Sequence, residues 1–362
     1  MEEREVMMNK TDQAVSARKG EELNAGTIES FLKDSFPNLK GDVILKQFPG
    51  GHSNLTYLVR IGKEELILRR PPVGRKAKTA HDMKREYTIL TALHEMFPWC
   101  PSPVLYTEDE SILGSPFYLM KRIKGMVIRK ELPDGVTFSP DQARALNENM
   151  VDVHVRLHSI DYKQVGLETF GKPEGYIKRQ VGGWSERYRQ ARTPDAPDCE
   201  YIMSWIHENM PPDPDRAVII HNDFKLDNMV VDVNDPTRII GVLDWEMATI
   251  GDPGMDIGNL LAYHVEKNDP PDLQMLRFMP ESIEFAMTRK EQVDLYAEKS
   301  GMSFDDINFY YCFGLFRLAV IAQQIYYRYY HGQTSDERFQ MMIVGVQILE
   351  RAALRTIESG FV

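Results

Sequence analysis

Strand patterns occupy the first third of the chain, whereas helical patterns fill most of the remaining two thirds. Five segments of the first third are rich in apolar and β-branched residues: 42–48, 54–61, 64–70, 103–109 and 116–123. One helical pattern, at 81–97, interrupts them, so the order is β-β-β-α-β-β. This order predicts one antiparallel sheet accompanied by one helix. After Gly125 the character changes, and we predict a boundary near residues 123–126.

The length of the chain favours two packed units. At 362 residues it exceeds what one hydrophobic core usually supports. We therefore predict an α+β fold with a small sheet-rich lobe at 25–123 and a larger, helical lobe at 124–362. Residues 1–24 are polar and lack periodicity, which predicts a disordered tail.

Composition and charge exclude several classes of protein. The formal net charge is −11, so neither nucleic acid nor an anionic membrane is expected as a partner, because binding them needs a basic face. The three cysteines are far apart and include no C-x-x-C pair, which predicts neither disulfides nor a cysteine zinc site. The start, MEEREVMMNKTDQ, lacks the apolar stretch of a secretory signal, and no apolar run has the length of a membrane span. We expect a cytoplasmic protein.

Two polar motifs follow predicted strands in the second half of the chain. Residues 221–228, HNDFKLDN, fit H-x-D-x-x-x-x-N, and Asp244 closes an apolar strand sixteen residues after Asn228. Segments 229–233 and 238–244 have the pattern of a hairpin, which would bring Asn228 and Asp244 near each other. A single eight-residue pattern arises by chance, but two motifs in this order on fitting elements are far less common.

The two motifs resemble those of the aminoglycoside phosphotransferase and choline kinase group, distant relatives of protein kinases. The continuation GDPGMDIGNLL, at 251–261, extends the resemblance, and LDWE at 243–246 replaces the D-F-G of protein kinases. In this group the aspartate that matches Asp256 packs under the catalytic loop. The resemblance implies a protein-kinase-like bilobal fold, with a small antiparallel sheet lobe, and a larger helical lobe that carries the catalytic hairpin.

The resemblance implies transfer of the γ-phosphoryl group of ATP or GTP to a hydroxyl of a small molecule. Such transfer needs a group that orients the hydroxyl and accepts its proton, which we assign to Asp223. Lys225, two residues further on, can meet the γ-phosphate as a point charge. Magnesium prefers hard oxygen ligands, and the amide oxygen of Asn228 and the carboxylate of Asp244 supply two of them.

The nucleotide is expected against the first lobe. The segment FPGGHSNLTYLV, at 48–59, resembles the short G-x-S-N phosphate-covering loop of kinase-like domains found alone or fused to acyl-CoA dehydrogenases. Glycines let backbone N–H groups approach phosphate oxygens, although paired glycines between strands also form simple hairpin turns. The loop residues assigned to the nucleotide are Gly50, Gly51, His52, Ser53 and Asn54.

The resemblance also places the purine beside the last strand of the first lobe. Met120 would form the back wall of the pocket, and backbone groups from Lys121 to Ile123 would bind the purine edge. An ordinary core strand that ends in a glycine turn explains the same composition, so this assignment depends on the resemblance.

An arginine stands where kinase-like folds have a lysine on the third strand. Arg69 occupies that position, and Glu86 matches the helical glutamate that pairs with the lysine. Glu86 lies on an apolar stripe, where an unpaired carboxylate would be costly, so Arg69 is its expected partner. Alternatively, Glu86 is solvated at the helix edge and Arg69 lies on the outer face of the sheet. The arginine fork can reach a phosphate, but with a geometry different from that of lysine.

Several alternatives stay open in the sequence. The acceptor can be a hydroxyacyl thioester, an amino sugar or an amino alcohol. The chain can also be a catalytically weak, nucleotide-binding regulatory module, for which Arg69 is the only support. A protein kinase is disfavoured, because no D-F-G to A-P-E activation segment lies between Asp244 and Asp256.

Overall fold

The computed structural model describes residues 13–38, 40–49, 54–72 and 82–361. Contacts divide these residues into two compact units. The first holds the described residues up to Val127 together with Met229–Glu246, and the second holds Ile128–Asn228 and the described residues from Met247 onward. The division after Val127 lies close to the predicted boundary at 123–126, and the assignment of Met229–Glu246 differs from the prediction.

The first unit is built on a five-stranded antiparallel sheet with the strand order β1-β2-β3-β5-β4. Its strands are β1 (Val43–Gln47), β2 (Leu55–Ile61), β3 (Glu64–Arg70), β4 (Pro103–Thr107) and β5 (Phe117–Lys121). Its helices are α1 (Ala25–Ser35), α2 (Met83–Leu93) and α3 (Glu110–Leu113). The predicted antiparallel sheet is confirmed, and α2 is the helix predicted at 81–97.

Apolar side chains that alternate along strand β2 contribute to the core of the first unit. Every second residue of Leu55–Ile61 lies in one buried cluster, as a side-chain period of two requires. Ile28 and Leu32, four residues apart on α1, pack against the same cluster. Leu68 of β3 belongs to it as well, so its neighbour Arg69 faces the opposite side of the sheet.

The second unit is mainly helical. Its helices are α4 (Pro140–Ser159), α5 (Tyr176–Ala191), α6 (Glu200–Glu208), α7 (Pro253–Ala262), α8 (Pro271–Gln274), α9 (Glu281–Glu284), α10 (Arg289–Ser300), α11 (Ile307–Tyr330) and α12 (Met342–Ser359). Two short strands, β6 (Val218–Ile220) and β9 (Thr249–Gly251), pair antiparallel. Between them along the chain come β7 (Met229–Val231) and β8 (Ile239–Val242) of the first unit. None of the described helices is long and apolar enough to cross a lipid bilayer.

The backbones of helices α7 and α11 are in direct contact at two glycines. A Cβ atom added to Gly258 would lie 2.1 Å from the carbonyl oxygen of Tyr310. A Cβ atom added to Gly314 would lie 2.1 Å from the carbonyl oxygen of Gly258. Only glycine fits at both positions, because any side chain would overlap the facing backbone. This packing fixes α7, which carries Asp256, against α11, which carries Arg317.

The hairpin of β7 and β8 belongs to the first unit rather than to the helical lobe predicted at 124–362. Met126 and Val231 exchange backbone hydrogen bonds of 2.9 and 2.8 Å. The N–H of Val242 donates to the carbonyl oxygen of Trp99, and the Trp99 indole donates to the carbonyl oxygen of Ile239. These partners are far apart in the sequence, so local patterns do not reveal where the hairpin is held.

Residues 13–24 lie along the edge of the sheet, which corrects the prediction of a disordered tail over 1–24. Val15 and Gln47 exchange two backbone hydrogen bonds of 2.8 Å, and the N–H of Arg18 donates to the Gln47 side chain. The hydroxyl of Tyr57 donates to the carbonyl oxygen of Glu21 at 2.7 Å. β1 is an edge strand, and its outer backbone groups need such partners. Residues 1–12 lie outside the described residues.

Candidate active site

The loop after β6 turns sharply at Asn222. β6 is fully buried, and the chain continues through His221 and Asn222 to Asp223. Asn222 has a φ of 63°, in the left-handed region that asparagine tolerates better than most residues. Its side-chain nitrogen donates to the carbonyl oxygen of Met247 at 3.0 Å, which holds the turn in place. The turn brings Asp223 out of the buried strand, and its side chain is 20% exposed.

Asp256 anchors this loop. It lies in the first turn of α7 and accepts the N–H of His221 at 2.8 Å and the N–H of Asn222 at 2.6 Å, one on each carboxylate oxygen. The first turn of a helix favours a negative charge, because its N–H groups lack partners within the helix and the helix dipole is positive there. The resemblance implied an aspartate under the loop, and Asp256 occupies that position.

Two histidines of α4 bind the same carboxylate. The Nε2 atoms of His154 and His158 lie 3.0 and 3.1 Å from Oδ2 of Asp256, and all three side chains are buried. A carboxylate only accepts hydrogen bonds, so both Nε2 atoms carry the hydrogen, and Nδ1 of His158 accepts from the Tyr296 hydroxyl at 2.6 Å. Burial opposes the charge of Asp256, but the two histidine hydrogen bonds hold its pKa well below the ordinary value.

The histidine–aspartate cluster has the composition of a metal site. One ligand atom from each of His154, His158 and Asp256 lies within 4.8 Å of the others. The carboxylate, however, already accepts two backbone and two histidine hydrogen bonds, all of which a metal ion would disturb. We therefore interpret the cluster as a hydrogen-bonded anchor of the loop.

Asn228 binds Asp223 through its side-chain amide. The Asn228 nitrogen donates to Oδ2 of Asp223 at 2.8 Å and to the Asp223 carbonyl oxygen at 2.9 Å. Both partners are acceptors, so the amide nitrogen must face Asp223 and the amide oxygen must face away from it. The loop thus aligns one carboxylate and presents one amide oxygen beside it.

The charge of Asp223 is balanced by two cations. Lys225 Nζ lies 3.3 Å from Oδ2 of Asp223 and 4.6 Å above the ring centre of Tyr263. Burial disfavours the ionised carboxylate, but nearby polar and charged groups, chiefly Lys225 and then Arg317, hold the pKa of Asp223 below its ordinary value. Burial also disfavours the ammonium of Lys225, yet Tyr263 and Asp223 raise its pKa above the usual range. Both side chains are therefore charged at neutral pH.

Arg317 is a site residue that sequence reasoning missed. It lies on α11, is 4% exposed, and donates from Nη2 to the carbonyl oxygen of Asn222 at 2.8 Å. Its guanidinium carbon lies 5.1 Å from the ring centre of Trp184. An arginine in the middle of an apolar helix was the available signal, because such a charge is rarely buried without a specific partner.

In the first unit, Arg69 forms ion pairs with two carboxylates. Its Nη2 lies 3.0 Å from Oδ1 of Asp244, and its Nε lies 3.4 Å from Oε1 of Glu86. Arg69 and Glu86 are both buried, so the expected pair is present and the alternative with a solvated Glu86 is wrong. Burial raises the pKa of Glu86, and the charge of Arg69 offsets part of that rise.

Of the five residues predicted to cover the phosphates, only Asn54 belongs to the residues that the structure describes. Asn54 is buried, and its side-chain nitrogen donates to Oε2 of Glu246 at 2.7 Å. Glu246 was not among the predicted site residues, although it directly follows the LDW sequence. The other four predicted residues, Gly50, Gly51, His52 and Ser53, lie outside the described residues.

The predicted purine-binding segment begins within the last two residues of β5 and continues to Ile123. Met120 is buried opposite Ile67 of β3, and the side chain of Lys121 is exposed. The N–H of Lys121 donates to the carbonyl oxygen of Ser102 at 2.8 Å, so this N–H is already engaged. The side chain of Ile123 packs against Gly241 of β8, where an added Cβ would lie 2.5 Å from Ile123 Cδ1.

The two predicted magnesium ligands belong to different units. Asn228 ends the loop in the second unit, and Asp244 follows β8 in the first. Asp244 has a φ of 65°, a conformation that costs energy in most residues and that occurs often at functional sites.

Comparison with known proteins identifies the family. Residues 44–288 match the phosphotransferase enzyme family over most of the chain. The chain belongs to this family. Rat acyl-CoA dehydrogenase family member 11 is 30% identical to this phosphotransferase-family chain over 355 residues, which cover 96% of the chain and 45% of that protein. The chain therefore spans about half the length of that relative, and the predicted resemblance to domains associated with acyl-CoA dehydrogenases is confirmed.

Solved structures confirm the kinase-like fold of this phosphotransferase-family protein. A Ralstonia eutropha protein assigned to the aminoglycoside phosphotransferases has a TM-score of 0.76 and 26% identity, with 92% of this chain and 99% of that chain covered. The GDP and kanamycin complex of APH(2″)-IIIa has a TM-score of 0.59 and 15% identity, with 91% and 98% covered. The predicted α+β, protein-kinase-like class is therefore correct.

Arg69→Met is expected to lower the free energy of unfolding of this phosphotransferase-family protein by about 3 kcal/mol, because it leaves the buried carboxylate of Glu86 without a counter-charge. Arg69→Lys keeps the charge but loses the fork, so its loss should be smaller. Urea unfolding followed by tryptophan fluorescence measures both. Arg60→Met, at an exposed position of β2, is the control, and an equal loss in Arg60→Met and Arg69→Met would contradict the assignment.

Proposed function

We propose that this protein transfers the γ-phosphoryl group of ATP or GTP to a hydroxyl of a small molecule in a magnesium-dependent reaction. The observation that carries the proposal is the geometry around Asp223, whose carboxylate is aligned by Asn228 at 2.8 Å and neutralised by Lys225 at 3.3 Å. Membership of the phosphotransferase family supports the same reaction class.

Asp223 would orient the acceptor hydroxyl and take its proton. Its low pKa keeps it ionised at neutral pH, so it is a weak base but a permanent hydrogen-bond acceptor. A weak base suffices because the transition state of phosphoryl transfer is loose, and positioning contributes more than proton abstraction. Lys225, charged and partly exposed, would meet the γ-phosphate as a point charge.

The donor chemistry of Asn228 and Asp244 fits magnesium. An amide oxygen turned away from Asp223 and a carboxylate are both hard ligands, and magnesium is bound by few protein oxygens together with water and phosphate. A bound magnesium ion would neutralise charge on the triphosphate oxygens. Arg69 holds one carboxylate oxygen of Asp244 and so fixes the side chain for that role.

The nucleotide is proposed to bind the first unit through a polar loop and an apolar wall. Gly50, Gly51, His52, Ser53 and Asn54 would cover the phosphates. Arg69, held by Glu86, would contact a phosphate, and Met120, Lys121 and Ile123 would contact the purine. The GDP-bound structural neighbour supports a nucleotide ligand, and both ATP and GTP are donors to be tested.

A reducing compartment, such as the cytoplasm, is proposed for this protein. Cys100, Cys199 and Cys312 are buried and carry free thiols. Burial raises the pKa of each thiol, so each is a poor nucleophile and behaves as a small apolar side chain.

A transfer assay tests the proposal directly. The protein is incubated with γ-labelled ATP or GTP and with hydroxylated acyl thioesters, amino sugars and amino alcohols. We expect labelled product from at least one acceptor with magnesium present and none after chelation of the metal. Nucleotide binding, seen as a magnesium-dependent thermal shift, without transfer to any acceptor would instead favour a regulatory module.

Arg317→Met is expected to move the acid limb of the pH–rate profile to higher pH. Arg317 and Lys225 hold the pKa of Asp223 below its ordinary value, so loss of one cation raises that pKa. The variant then loses activity at a higher pH than the wild type as Asp223 becomes protonated. Arg317→Lys, which keeps the charge, should retain most of the wild-type profile, and identical profiles for all three proteins would contradict the role of the charge.

A further inference from the structure

A small cavity in the second unit lies beside Lys225 and Asp227. Its volume is about 20 Å³, and its lining is mainly apolar. The apolar part comes from Met150, Leu226, Leu260, Tyr263, Phe278 and Met279. Lys225 lies within 3.3 Å of Asp223 as well, so the cavity adjoins the carboxylate proposed to activate the acceptor.

Two buried polar atoms of the cavity wall lack a hydrogen-bond partner among the described residues, namely Gln292 Nε2 and His264 Nδ1. Gln292 of α10 lines the cavity and is 4% exposed. Its Nε2 atom has no hydrogen-bond partner among the residues that the structure describes. Leaving a buried amide donor without a partner destabilises the protein, so this amide is suited to a ligand that brings an acceptor oxygen.

The carboxylates next to the cavity are already paired with a cation. Lys225 Nζ lies 3.3 Å from Oδ2 of Asp223 and 3.7 Å from Oδ1 of Asp227, so both carboxylates next to the cavity already face the same cation. Burial lowers the pKa of His264 to about 4, and this side chain is therefore neutral at physiological pH. An ammonium group placed in the cavity would have no carboxylate of its own, and burying an unpaired charge is costly.

We propose that this cavity is an acceptor subsite for an uncharged, apolar end of the acceptor, and that Gln292 Nε2 donates a hydrogen bond to an oxygen next to that end. The inference rests on the proposed phosphotransfer function. A cavity of this volume holds about one or two heavy atoms, so it takes a methyl or similarly short group. The subsite favours neutral, short-chain hydroxyacyl compounds over amino sugars and amino alcohols.

Direct binding measurements on the full chain test the subsite. Isothermal calorimetry compares the N-acetylcysteamine thioesters of 3-hydroxybutyrate and 3-hydroxyhexanoate with kanamycin as a cationic probe. We expect the wild type to bind the 3-hydroxybutyryl thioester more tightly than kanamycin. Gln292→Leu, similar in size but without the donor, should weaken thioester binding about 5- to 100-fold and leave ATP binding unchanged.

A second variant and a control separate the subsite from general damage. Met150→Ala enlarges the cavity. It should therefore increase the affinity for the 3-hydroxyhexanoyl thioester relative to the 3-hydroxybutyryl thioester by about tenfold. Gln190→Leu, at an exposed position of α5, should behave as the wild type. Kanamycin binding as tight as thioester binding, no thioester binding by the wild type, or no effect of Gln292→Leu would each overturn the inference.

These outcomes are distinguishable from failure of the proposed function. Asp223→Asn should keep thioester binding and lose transfer. Persistent transfer in Asp223→Asn would remove the proposed catalytic role even if the binding pattern held. Conversely, transfer that depends on Asp223, combined with an unchanged acceptor profile in Gln292→Leu, would remove only the subsite.

Discussion

Asp223→Asn is expected to lower the rate of phosphoryl transfer by about 10²- to 10⁴-fold. The substitution keeps the size of the side chain and one acceptor oxygen for the Asn228 amide, so the loop should keep its conformation. It removes the negative charge that Lys225 faces and the group that receives the hydroxyl proton. Nucleotide affinity should change little, because the nucleotide is proposed to bind residues of the first unit.

The measurement is the initial rate of transfer under saturating nucleotide, together with the dissociation constant for ATP. Asp235→Asn is the matched control. Asp235 is an exposed carboxylate in the turn between β7 and β8, and it accepts hydrogen bonds from the N–H and the hydroxyl of Thr237. It should stay within about twofold of the wild type. A rate for Asp223→Asn equal to that of Asp235→Asn would falsify the assignment of Asp223 as base.

Local periodicity was sufficient to predict most elements of the fold. β3 occupies Glu64–Arg70, the predicted range, because a short apolar run bounded by charged residues is visible within the strand itself. The edge contact of Val15 with Gln47 and the attachment of β8 to Trp99 were not predictable in this way. Both depend on backbone partners that are distant in the sequence and carry no side-chain pattern.

The candidate site was predictable where chemistry constrains single residues. The cost of burying a lone carboxylate indicated that Glu86 needs a partner, and Arg69 is that partner. His154 and His158 are spaced i and i+4 on α4, and no motif in the sequence marks them as site residues. Their role depends on Asp256, about 100 residues further on, and only tertiary structure brings the three side chains together.

Asp256→Asn is expected to destabilise the protein by about 3 kcal/mol and to slow transfer. Asp256 accepts hydrogen bonds from two backbone N–H groups and from His154 and His158. An asparagine at this position has one acceptor oxygen and one amide donor, and the donor would face N–H groups that also need acceptors. At least one buried donor would lose its partner, at about 1–3 kcal/mol each. The loop that carries Asp223 would then be less firmly held.

The pH dependence of this loss distinguishes the carboxylate from a general packing defect. The folded-state pKa of Asp256 is far below that of an unfolded aspartate, about 3.9. Its stabilising contribution is therefore present above about pH 4 and is lost as the pH falls toward the folded-state pKa. Urea unfolding should give the largest difference between wild type and Asp256→Asn at pH 7, and a smaller one below pH 4. Asp294→Asn, at an exposed ion pair on α10, should cost less than about 1 kcal/mol at both pH values, and a pH-independent loss in Asp256→Asn would contradict the charged anchor.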